Sequence, residues 1–391
     1  MSWSFWDKEI FAEPIDLLVI GAGIVGLNAA LAYQAKHPGE KILVIDQGLW
    51  PSGATTRNAG FACFGTAGEI AADLQTQSVD ETLTLIKKRV LGLRALLEMH
   101  GAKTLQFEAC GGYEVFFTGE EHHAASVLAA VPQLNEWLTQ TGLFDRPVFS
   151  TISPQANTPW FPHVGQLIFN PFEGALHSGA LWNSLREKVQ QAGIKMEMGW
   201  KVLDIHDDAA QVTVILEHLK GNVKRRAGKV LVAVNGFAGT LLPELQDDVK
   251  PARGVVLVTK PLPKSLPDGT FHYASGDTYF RKVGQNQLLI GGGRRLQPEK
   301  ETTTEQSIPK EINSYLMDVI HRRLLPDIPW EIEHIWAGTM GMGSQRFPIC
   351  KKIRPRVVAA VRLGGMGVAL GTQLGREAAD LLDEKHFYQP S

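Results

Sequence analysis

The first 46 residues combine a continuous hydrophobic run, a glycine-rich turn and a second hydrophobic run. Asp16–Ile20 is apolar after its first residue, as in a parallel strand that is buried on both faces. Gly21, Gly23 and Gly26 follow, and the next apolar stretch is long enough for a helix. Lys41–Asp46 is again strand-like and ends on an acid. The pattern predicts a strand, a Gly-x-Gly-x-x-Gly turn, a helix and a second strand.

This arrangement is typical of a dinucleotide-binding unit. Gly21 allows the tight turn, Gly23 lets the backbone approach a pyrophosphate, and Gly26 lets the helix pack closely on the strand. The helix N-terminus offers free N–H groups and a positive dipole end to the phosphates. Asp46 lies 20 residues beyond Gly26, where a carboxylate can bind a ribose and disfavours the 2′-phosphate of NADP. The turn alone leaves FAD, NAD and a structural turn without phosphate as alternatives.

The rest of the chain alternates between helical and strand-like patterns. Trp50–Gly68 is rich in small residues and too irregular for a long element, whereas Glu69–His100 has the apolar spacing of a helix. From Val249 onward the pattern turns to β, and Val357–Val361 begins a second strand, glycine loop and helix, the helix lying near Thr372–Asp383. Further helices are predicted at Glu120–Thr141 and Gly174–Ala192, and strands at Gly112–Thr118, Lys195–Trp200, Gln211–Glu217, Lys229–Val234, Gly254–Thr259, Thr278–Val283 and Gln287–Gly291.

Composition and charge narrow the class of protein. A chain of 391 residues, of which 44% are hydrophobic, suits two domains better than a single core. The net charge of −2 gives no electrostatic footprint for nucleic acid. Cys63, Cys110 and Cys350 fit neither a zinc site nor a disulfide framework. We therefore expect neither a metal nor a nucleic acid as a partner.

The apolar stretch Ile15–Tyr33 resembles a membrane span in length. Its glycines, Asp16 and Asn28 argue against that interpretation, because a strand that breaks into a helix cannot satisfy its backbone in lipid. Residues 1–13 lack the basic start and apolar core of a signal peptide. We expect a cytoplasmic protein without a transmembrane segment.

Seven segments occur in order along the chain and together suggest a family. They are IGAGIVG at 20–26, GATTRNAGF at 53–61, VNGFAG at 234–239, VKPARGVVLVT at 249–259, TYFRKVGQNQLLIGGG at 278–293, WAGTMGMGSQRFP at 336–348 and LGGMGVALGTQLGREAADLL at 363–382. These segments resemble the FAD-dependent amino acid and amine oxidoreductases, a family that includes D-amino acid oxidase, glycine oxidase and sarcosine oxidase. Only the first segment is common outside such flavoproteins. The leading SFWDKEIF, the RNAGF loop and ALHSGAL most resemble the branch of gamma-glutamylputrescine oxidoreductase.

The resemblance implies an α/β fold with two domains. The first is an FAD-binding Rossmann-like domain of the glutathione-reductase type, which we expect to be discontinuous and to comprise residues 14–79, 173–240 and 336–391. The second is an α+β substrate domain built on a mostly antiparallel sheet. We expect it to comprise residues 80–172 and 241–335.

The cofactor implied by the resemblance is noncovalent FAD. Sarcosine oxidases attach their flavin to a cysteine at about the position of Met340 or Gly341, and they place a lysine near Leu289; neither residue is present here. By resemblance the cofactor residues are Gly21, Gly23, Gly26 and Asp46 at the pyrophosphate and ribose, Thr55, Arg57, Asn58 and Gly60 along the pyrophosphate and flavin, Val202 at the adenine, Gly365, Met366 and Gly367 at the pyrimidine edge, and also Gln47 and Asn235.

The candidate catalytic pair is Tyr279 and Arg281. These residues are two apart on a predicted strand, so they share one face while Phe280 points to the other. A guanidinium binds a carboxylate bidentately and a phenol can add a hydrogen bond, as an amino acid substrate requires. By resemblance Arg281 matches the arginine that binds the substrate carboxylate in glycine and D-amino acid oxidases. The alternative is a surface hairpin with an exposed arginine.

The function implied by the resemblance is oxidation of a C–N bond of an amino acid or amine, by hydride transfer to flavin N5 and hydrolysis of the resulting imine. The partners are then a small-molecule amine or amino acid and oxygen or another electron acceptor. An NAD-dependent dehydrogenase and a flavin-binding or assembly protein without turnover are alternatives, the second because Gly343–Arg346 replaces the Thr-Pro-Asp turn of the family. The sequence leaves the roles of His163, His177 and Arg253 open.

Overall fold

A computed structural model describes residues 4–152, 161–208, 210–218 and 221–383. These residues form two compact units. The first unit contains the described residues up to Thr56, Gly179–Ala252 and those from Met340 onward, and the second contains Arg57–Ser178 and Arg253–Thr339. The largest difference from the boundaries expected from sequence is that residues 57–79 belong to the second unit. The functional roles of the two parts stay predictions.

Eleven α-helices occur in the described residues, and short 3₁₀ segments lie at Asn235–Phe237, Pro243–Leu245 and Arg294–Leu296. A π-helical turn, Ile320–Leu324, continues the tenth α-helix. The α-helices are α1 (Phe5–Ala12), α2 (Ile24–Lys36), α3 (Ala54–Arg57), α4 (Ala67–Asp73), α5 (Val79–His100), α6 (Ala102–Leu105), α7 (Glu121–Gln140), α8 (Ser178–Gln191), α9 (Ala238–Leu241), α10 (Lys310–Val319) and α11 (Gly367–Asp383).

The strands fall into two sheets of eight and one pair. Their bounds are β1 (Ile15–Ile20), β2 (Ile42–Asp46), β3 (Phe61–Ala62), β4 (Gly112–Phe117), β5 (Ser150–Ile152), β6 (Val164–Asn170), β7 (Gly174–Ala175), β8 (Lys195–Met198), β9 (Lys201–Asp207), β10 (Val212–His218), β11 (Gly221–Val232), β12 (Lys250–Thr259), β13 (Thr270–Tyr273), β14 (Thr278–Val283), β15 (Gln287–Gly292), β16 (Ile332–Met342), β17 (Ile349–Arg354) and β18 (Val357–Val361).

The sheet of the first unit has the order β17-β18-β11-β1-β2-β8. Strand β1 is parallel to both of its neighbours, β11 and β2, and Leu17–Ile20 is buried as expected for a strand covered on both faces. Strands β9 and β10 extend this sheet in antiparallel fashion from β11. The predicted Rossmann-like α/β fold is confirmed, and it places the glycine turn at the carboxyl end of a central strand.

The sheet of the second unit has the order β16-β12-β15-β14-β13-β4-β6-β5. It is mostly antiparallel, as predicted, although β13 and β4 run parallel. On one face Phe280 stacks on Phe271, and Phe271 stacks on Tyr113, within the hydrophobic core. The opposite face therefore carries Tyr279 and Arg281, because side chains alternate along a strand.

Three predicted helices differ from the structure near their starts. The helix predicted from Gly174 begins at Ser178, because Gly174–Ala175 pairs with β3 as strand β7. The helical pattern of residues 69–100 is interrupted, because Ser78 begins a new helix with a capping box to Glu81. Helix α11 begins at Gly367, five residues before the predicted Thr372, so that its first turn directly follows the glycine loop. Among the described residues, none of the helices has both the length and the apolar character needed to cross a membrane.

Candidate functional site

The glycine turn of the first unit has the backbone that its sequence predicted. Gly21 has a φ of +111°, a region that favours glycine, and a β-carbon added at Gly26 would overlap the carbonyl oxygen of Gly21. Helix α2 begins at Ile24 with Gly23 as its N-cap, and no side chain caps this helix through Gly23. The first turn therefore has the positive end of the helix dipole and backbone N–H groups that the N-cap residue itself does not cap.

Two side chains close the rim of this turn. Asp46 accepts hydrogen bonds from the Ala22 N–H through Oδ2 and from the Gly48 N–H through Oδ1, both at 2.9 Å. Thr55 Oγ1 accepts the N–H of Ile24 at 2.9 Å. Each oxygen keeps a further acceptor position, so the Asp46 carboxylate can also accept a ribose hydroxyl. Asp46 thus has a structural role that the sequence did not reveal, and its ribose contact stays a prediction.

Three further predicted residues of the first unit lie on three different segments. Gln47 is exposed directly after β2, and Val202 is half-buried on β9 opposite Leu216. Asn235 has a φ of +46°, and its Oδ1 accepts the N–H groups of Arg362 at 3.1 Å and Leu363 at 3.3 Å. The amide oxygen of Asn235 therefore anchors the carboxyl-terminal glycine loop. Cofactor contacts for these three predicted residues stay predictions.

The carboxyl-terminal glycine loop forms a tight turn before α11. Gly364 and Gly365 have φ values of +58° and +84°, and the Gly364 N–H donates to the Gly341 carbonyl at 3.0 Å. Met366 is half-buried, and Gly367 begins the helix. The loop has the positive φ angles that explain why glycine occurs twice in it.

Helices α2 and α11 pack closely through glycines that the sequence analysis did not single out. A β-carbon added at Gly371 would lie 2.5 Å from Ile24 Cγ2, and one at Gly375 would lie 2.8 Å from the carbonyl oxygen of Val25. Their four-residue spacing was the available signal, since it places both on one helix face. Ile24 begins α2 and Gly371 lies four residues into α11, so the two helix N-termini point to the same side and lie about one turn apart. This offset suits a pyrophosphate at the N-terminus of α2 and the flavin pyrimidine edge at that of α11, as the resemblance implies. FAD fits this donor set.

In the second unit, the RNAGF segment runs antiparallel to residues 173–178. Asn58 Oδ1 accepts the Gly60 N–H at 2.8 Å and the Ser178 hydroxyl at 2.7 Å. The Gly60 carbonyl accepts the Leu176 N–H at 2.8 Å, and β3 pairs with β7. Gly60 has a φ of +72°, and a β-carbon there would overlap the Leu176 carbonyl oxygen. We refer to residues 58–65 as the small-residue loop.

Arg57 fixes the start of this loop. Its Nη1 donates to the Ala337 carbonyl at 2.6 Å, and its own carbonyl accepts the indole N–H of Trp336 at 3.0 Å. A β-carbon added at Gly338 would lie 3.0 Å from Arg57 Cβ. Arg57 therefore links the loop to β16, and its predicted cofactor contact stays a prediction.

Arg281 lies beneath the small-residue loop and is not an exposed hairpin arginine. Its Nε donates to the Ala59 carbonyl at 2.8 Å and its Nη2 to the Leu176 carbonyl at 2.9 Å. No carboxylate of the described residues pairs with its guanidinium within 4 Å. Burial lowers the pKa of Arg281. Two carbonyl oxygens thus hold Nε and Nη2 of the guanidinium. Nη1, at its free end, keeps N–H donors without a partner among the described residues.

Tyr279 lies on the same face of β14 as Arg281. Its ring contacts Phe61 edge to face with the centroids 5.6 Å apart, and it covers Gly291, where a β-carbon would lie 2.7 Å from the Tyr279 hydroxyl. The hydroxyl has no hydrogen-bond partner among the described residues. Burial raises the pKa of Tyr279 to about 12, so the phenol stays protonated and can donate a hydrogen bond.

Ionisable residues that the sequence analysis missed continue this face. His272 lies opposite Tyr279 on β13, and Glu114 lies opposite His272 on β4. His272 contacts Phe61 and is buried, which lowers its pKa, and its Nε2 has no partner among the described residues. Burial raises the pKa of Glu114 to about 7. No sequence pattern indicated that His272 and Glu114 lie beside Tyr279, because only the register of β4, β13 and β14 brings them together.

The residues whose roles were open lie in structural positions. Arg253 is buried and binds Glu301 through two hydrogen bonds, at 2.8 and 3.0 Å, so its charge is already paired. The His163 carbonyl accepts the Thr118 N–H at 2.7 Å, and the His177 N–H donates to the Leu105 carbonyl at 3.0 Å. These contacts give all three residues structural roles.

Comparison with known proteins gives one family. Residues 16–381 match the family described as FAD dependent oxidoreductase, abbreviated DAO. A probable oxidoreductase named OrdL, from Rhizobium meliloti (strain 1021), is 27% identical over 97% of this chain and 88% of its own length.

Solved structures share the fold at low sequence identity. Glycine oxidase from Geobacillus kaustophilus has a TM-score of 0.73 at 18% identity, covering 95% of both chains. L-proline dehydrogenase from P. horikoshii has a TM-score of 0.72 at 18% identity, covering 95% of this chain and 94% of its own. L-alpha-glycerophosphate oxidase from Mycoplasma pneumoniae, determined with FAD bound, has a TM-score of 0.69 at 17% identity and covers 97% of both chains. The shared fold therefore accompanies several different substrates.

Proposed function

The chain belongs to the family of FAD-dependent oxidoreductases, and on this premise we propose that it oxidises a C–N bond of an amino acid or amine whose carboxylate is held by Arg281. The family assignment makes FAD the cofactor in place of NAD. It also makes the protein an oxidoreductase, which sets aside the non-catalytic alternative. The substrate and the reaction are the part that we propose.

The observation that carries the proposal is the state of the Arg281 guanidinium. It is half-buried and two carbonyls hold it, yet no carboxylate of the described residues is within 4 Å. Carbonyl dipoles only partly compensate a buried charge, whereas a carboxylate supplies a full counter-charge and two acceptors. A substrate carboxylate at the free end of the guanidinium completes this arrangement.

Tyr279 supports the same substrate class. Its hydroxyl stays protonated and has no partner among the described residues, so it can donate a second hydrogen bond to the same carboxylate. The ring is held between Phe61 and the backbone of Gly291, which fixes the direction of the hydroxyl. Arg281 and Tyr279 together orient a substrate rather than exchange protons with it.

When bound, FAD supplies the redox chemistry by accepting a hydride from the substrate carbon at flavin N5. The substrate amine reacts in its deprotonated form, and water hydrolyses the imine product. Positioning of the substrate by Arg281 and Tyr279 is then the contribution of this chain. Oxygen or another electron acceptor would be the second substrate.

Arg281→Met tests this proposal with a matched substrate pair. We expect the FAD-loaded variant to bind an amino acid about 100-fold more weakly, since a buried carboxylate contact is lost. Binding of the corresponding amine without the carboxylate should change about threefold or less. Anaerobic flavin reduction measures both, and the ratio cancels any disturbance of the small-residue loop. Arg281→Lys keeps the positive charge but loses the two parallel N–H donors of the guanidinium. Its affinity for the amino acid should therefore lie between those of the wild type and Arg281→Met. An equal loss for both compounds contradicts a carboxylate role for Arg281.

A further inference from the structure

Glu173 is a buried carboxylate that the proposed reaction does not use. It precedes β7 and is 3% exposed. Its Oε1 accepts the N–H groups of Phe64 at 2.8 Å and Gly65 at 3.3 Å. One carboxylate oxygen therefore holds two consecutive peptides at the far end of the small-residue loop.

The surroundings of Glu173 leave room for this side chain only because a glycine faces it. A β-carbon added at Gly112, on β4, would overlap Glu173 Oε2. Gly65 has a φ of +131°, which turns the loop so that two successive N–H groups converge on one oxygen. Two glycines of the fold, Gly65 and Gly112, are thus adapted to a carboxylate at residue 173.

Arg89 holds the same peptide from its other side. It is 6% exposed on α5, and its Nη1 donates to the Phe64 carbonyl at 2.9 Å. The Phe64 residue is consequently fixed at its N–H by an anion and at its carbonyl by a cation. Charge-assisted hydrogen bonds of this kind are stronger than neutral ones.

Glu173 and Arg281 act on opposite ends of one loop. Arg281 holds Ala59 and Leu176 at the beginning of the paired segments, and Glu173 holds Phe64 and Gly65 at their end. Between them the loop pairs with residues 174–176 through β3 and β7. A change at Glu173 therefore reaches Arg281 through a continuous hydrogen-bonded segment.

We propose that Glu173 is a positioning residue of this oxidoreductase, and that its ionised carboxylate, together with Arg89, sets the position of the small-residue loop against the flavin. The proposal rests on the proposed function, because that loop contacts flavin only by the family resemblance. Glu173 touches neither substrate nor cofactor in this account. It acts through the backbone of Phe64 and Gly65.

The ionisation of Glu173 is balanced between opposing effects. Burial raises its pKa to about 8, while the two N–H donors and Arg89 lower it. Glu173 should therefore exchange a proton near neutral pH, which changes how strongly it holds the loop. The charged and titratable groups around it are Arg89 on α5, Glu69 on α4, Cys63 in the loop and Glu114 on the same face of β4 as Gly112.

The test follows the visible absorption spectrum of bound FAD between about pH 6 and 9.5, without any substrate. For the wild-type protein we expect a spectral change with a midpoint near 8, and for Glu173→Gln we expect no such midpoint, because the amide does not ionise. Glu121→Gln, an exposed glutamate at the start of α7, should titrate like the wild type. A wild-type spectrum that does not change, or the same midpoint in Glu173→Gln, overturns the proposal.

Flavin reduction gives a second readout. With a compound that reduces the wild-type flavin, Glu173→Gln should lower the limiting rate constant about tenfold and change the apparent binding constant about threefold or less. If Glu173→Gln does not fold, Glu173→Asp keeps the charge but shortens the side chain and should shift the spectral midpoint. An unchanged midpoint then overturns the proposal. If no amine reduces the flavin while the spectral titration is observed, only the proposed function fails.

Discussion

The glycine turn of the first unit and the small-residue loop of the second are built in different ways. The turn is closed by Asp46 and Thr55, which lie 24 and 31 residues from the N–H groups that they accept. The loop is held by Arg281 and Glu173, at separations of 222 and 109 residues. The turn is thus a local motif, whereas the loop depends on side chains from distant strands. Similar fixation of the backbone is reached by local sequence in one case and by tertiary structure in the other.

Both regions nevertheless use glycine for the same steric reason. A β-carbon at Gly26 would overlap the Gly21 carbonyl oxygen, and one at Gly60 would overlap the Leu176 carbonyl oxygen. Neither oxygen can move freely, because Gly21 ends a central strand and Leu176 hydrogen-bonds to Gly60 and Arg281. Alanine at each position therefore tests one region at a time.

The largest effect is expected for Gly26→Ala in the first region. The added methyl group forces the helix away from the turn, at a cost of about 3 to 4 kcal/mol. We expect FAD binding to weaken by about 100-fold or more, measured by fluorescence titration of the apoprotein. Gly39→Ala is the control, since nothing lies within 4 Å of a β-carbon there. Unchanged FAD affinity in Gly26→Ala contradicts the close packing described for this turn.

Gly60→Ala should have a somewhat smaller effect and a different one. Alanine at a φ of +72° is strained, and together with the overlap this should lower the free energy of unfolding by about 2 to 3 kcal/mol. Denaturant unfolding measures this loss. Because the glycine turn is unaffected, FAD affinity should fall less than in Gly26→Ala. A larger loss of FAD affinity in Gly60→Ala than in Gly26→Ala would contradict the view that the glycine turn contributes more to FAD binding than the small-residue loop.

Glu114, near the small-residue loop, should make the stability depend on pH. Its pKa is raised from 4.5 to about 7 by burial, so between these values the unfolded chain releases a proton that the folded chain keeps. The contribution to stability is therefore present at low pH and is lost as the pH rises. We expect a loss of about 2 kcal/mol between about pH 5.5 and 7.5. In denaturant unfolding, Glu114→Gln should lack this part of the pH dependence. If the free energy of unfolding changes with pH equally in Glu114→Gln and the wild type, the prediction is contradicted.

The smallest effect is expected for Asp46→Asn. The amide can still accept one of the two backbone hydrogen bonds, from Ala22 or Gly48, but it loses the charge that favours a ribose contact. FAD affinity should fall about tenfold, a loss of about 1.4 kcal/mol, in the same titration. Asp380→Asn, at an exposed position of α11, is a matched control whose FAD affinity should not change. If Asp46→Asn binds FAD as tightly as the wild type, Asp46 does not contact the cofactor.

The difference between the two regions also explains what the sequence could predict. Gly21, Gly23 and Gly26 were predictable because turn, strand and helix are neighbours in sequence. The alternation of Tyr279, Phe280 and Arg281 across β14 was predictable from the period of a strand, and the structure confirms it. The partners of Arg281 were not predictable, since Ala59 and Leu176 offer only backbone carbonyls, which every residue has.

Glu173, His272 and Glu114 were missed for a related reason. No short motif contains them, and only the pairing of β4, β13 and β14 and the turn at Gly65 bring them under the loop. The pKa of Glu173 and of Glu114 is raised by burial, which is a property of packing rather than of sequence. Residues 57–79, which we expected in the first domain, belong to the second unit, where Arg281 holds Ala59 and Glu173 holds Phe64 and Gly65.

Anaerobic reduction of the FAD-loaded protein tests the central claim most directly. The flavin absorption bands are followed while amino acids, N-methyl amino acids and polyamine derivatives are added one at a time, and dithionite is added last to show that the bound flavin can be reduced. We predict that at least one compound bleaches the bands and releases the oxo product of C–N bond oxidation. Bands that respond to dithionite but to none of these compounds would contradict C–N bond oxidation as the function of this protein.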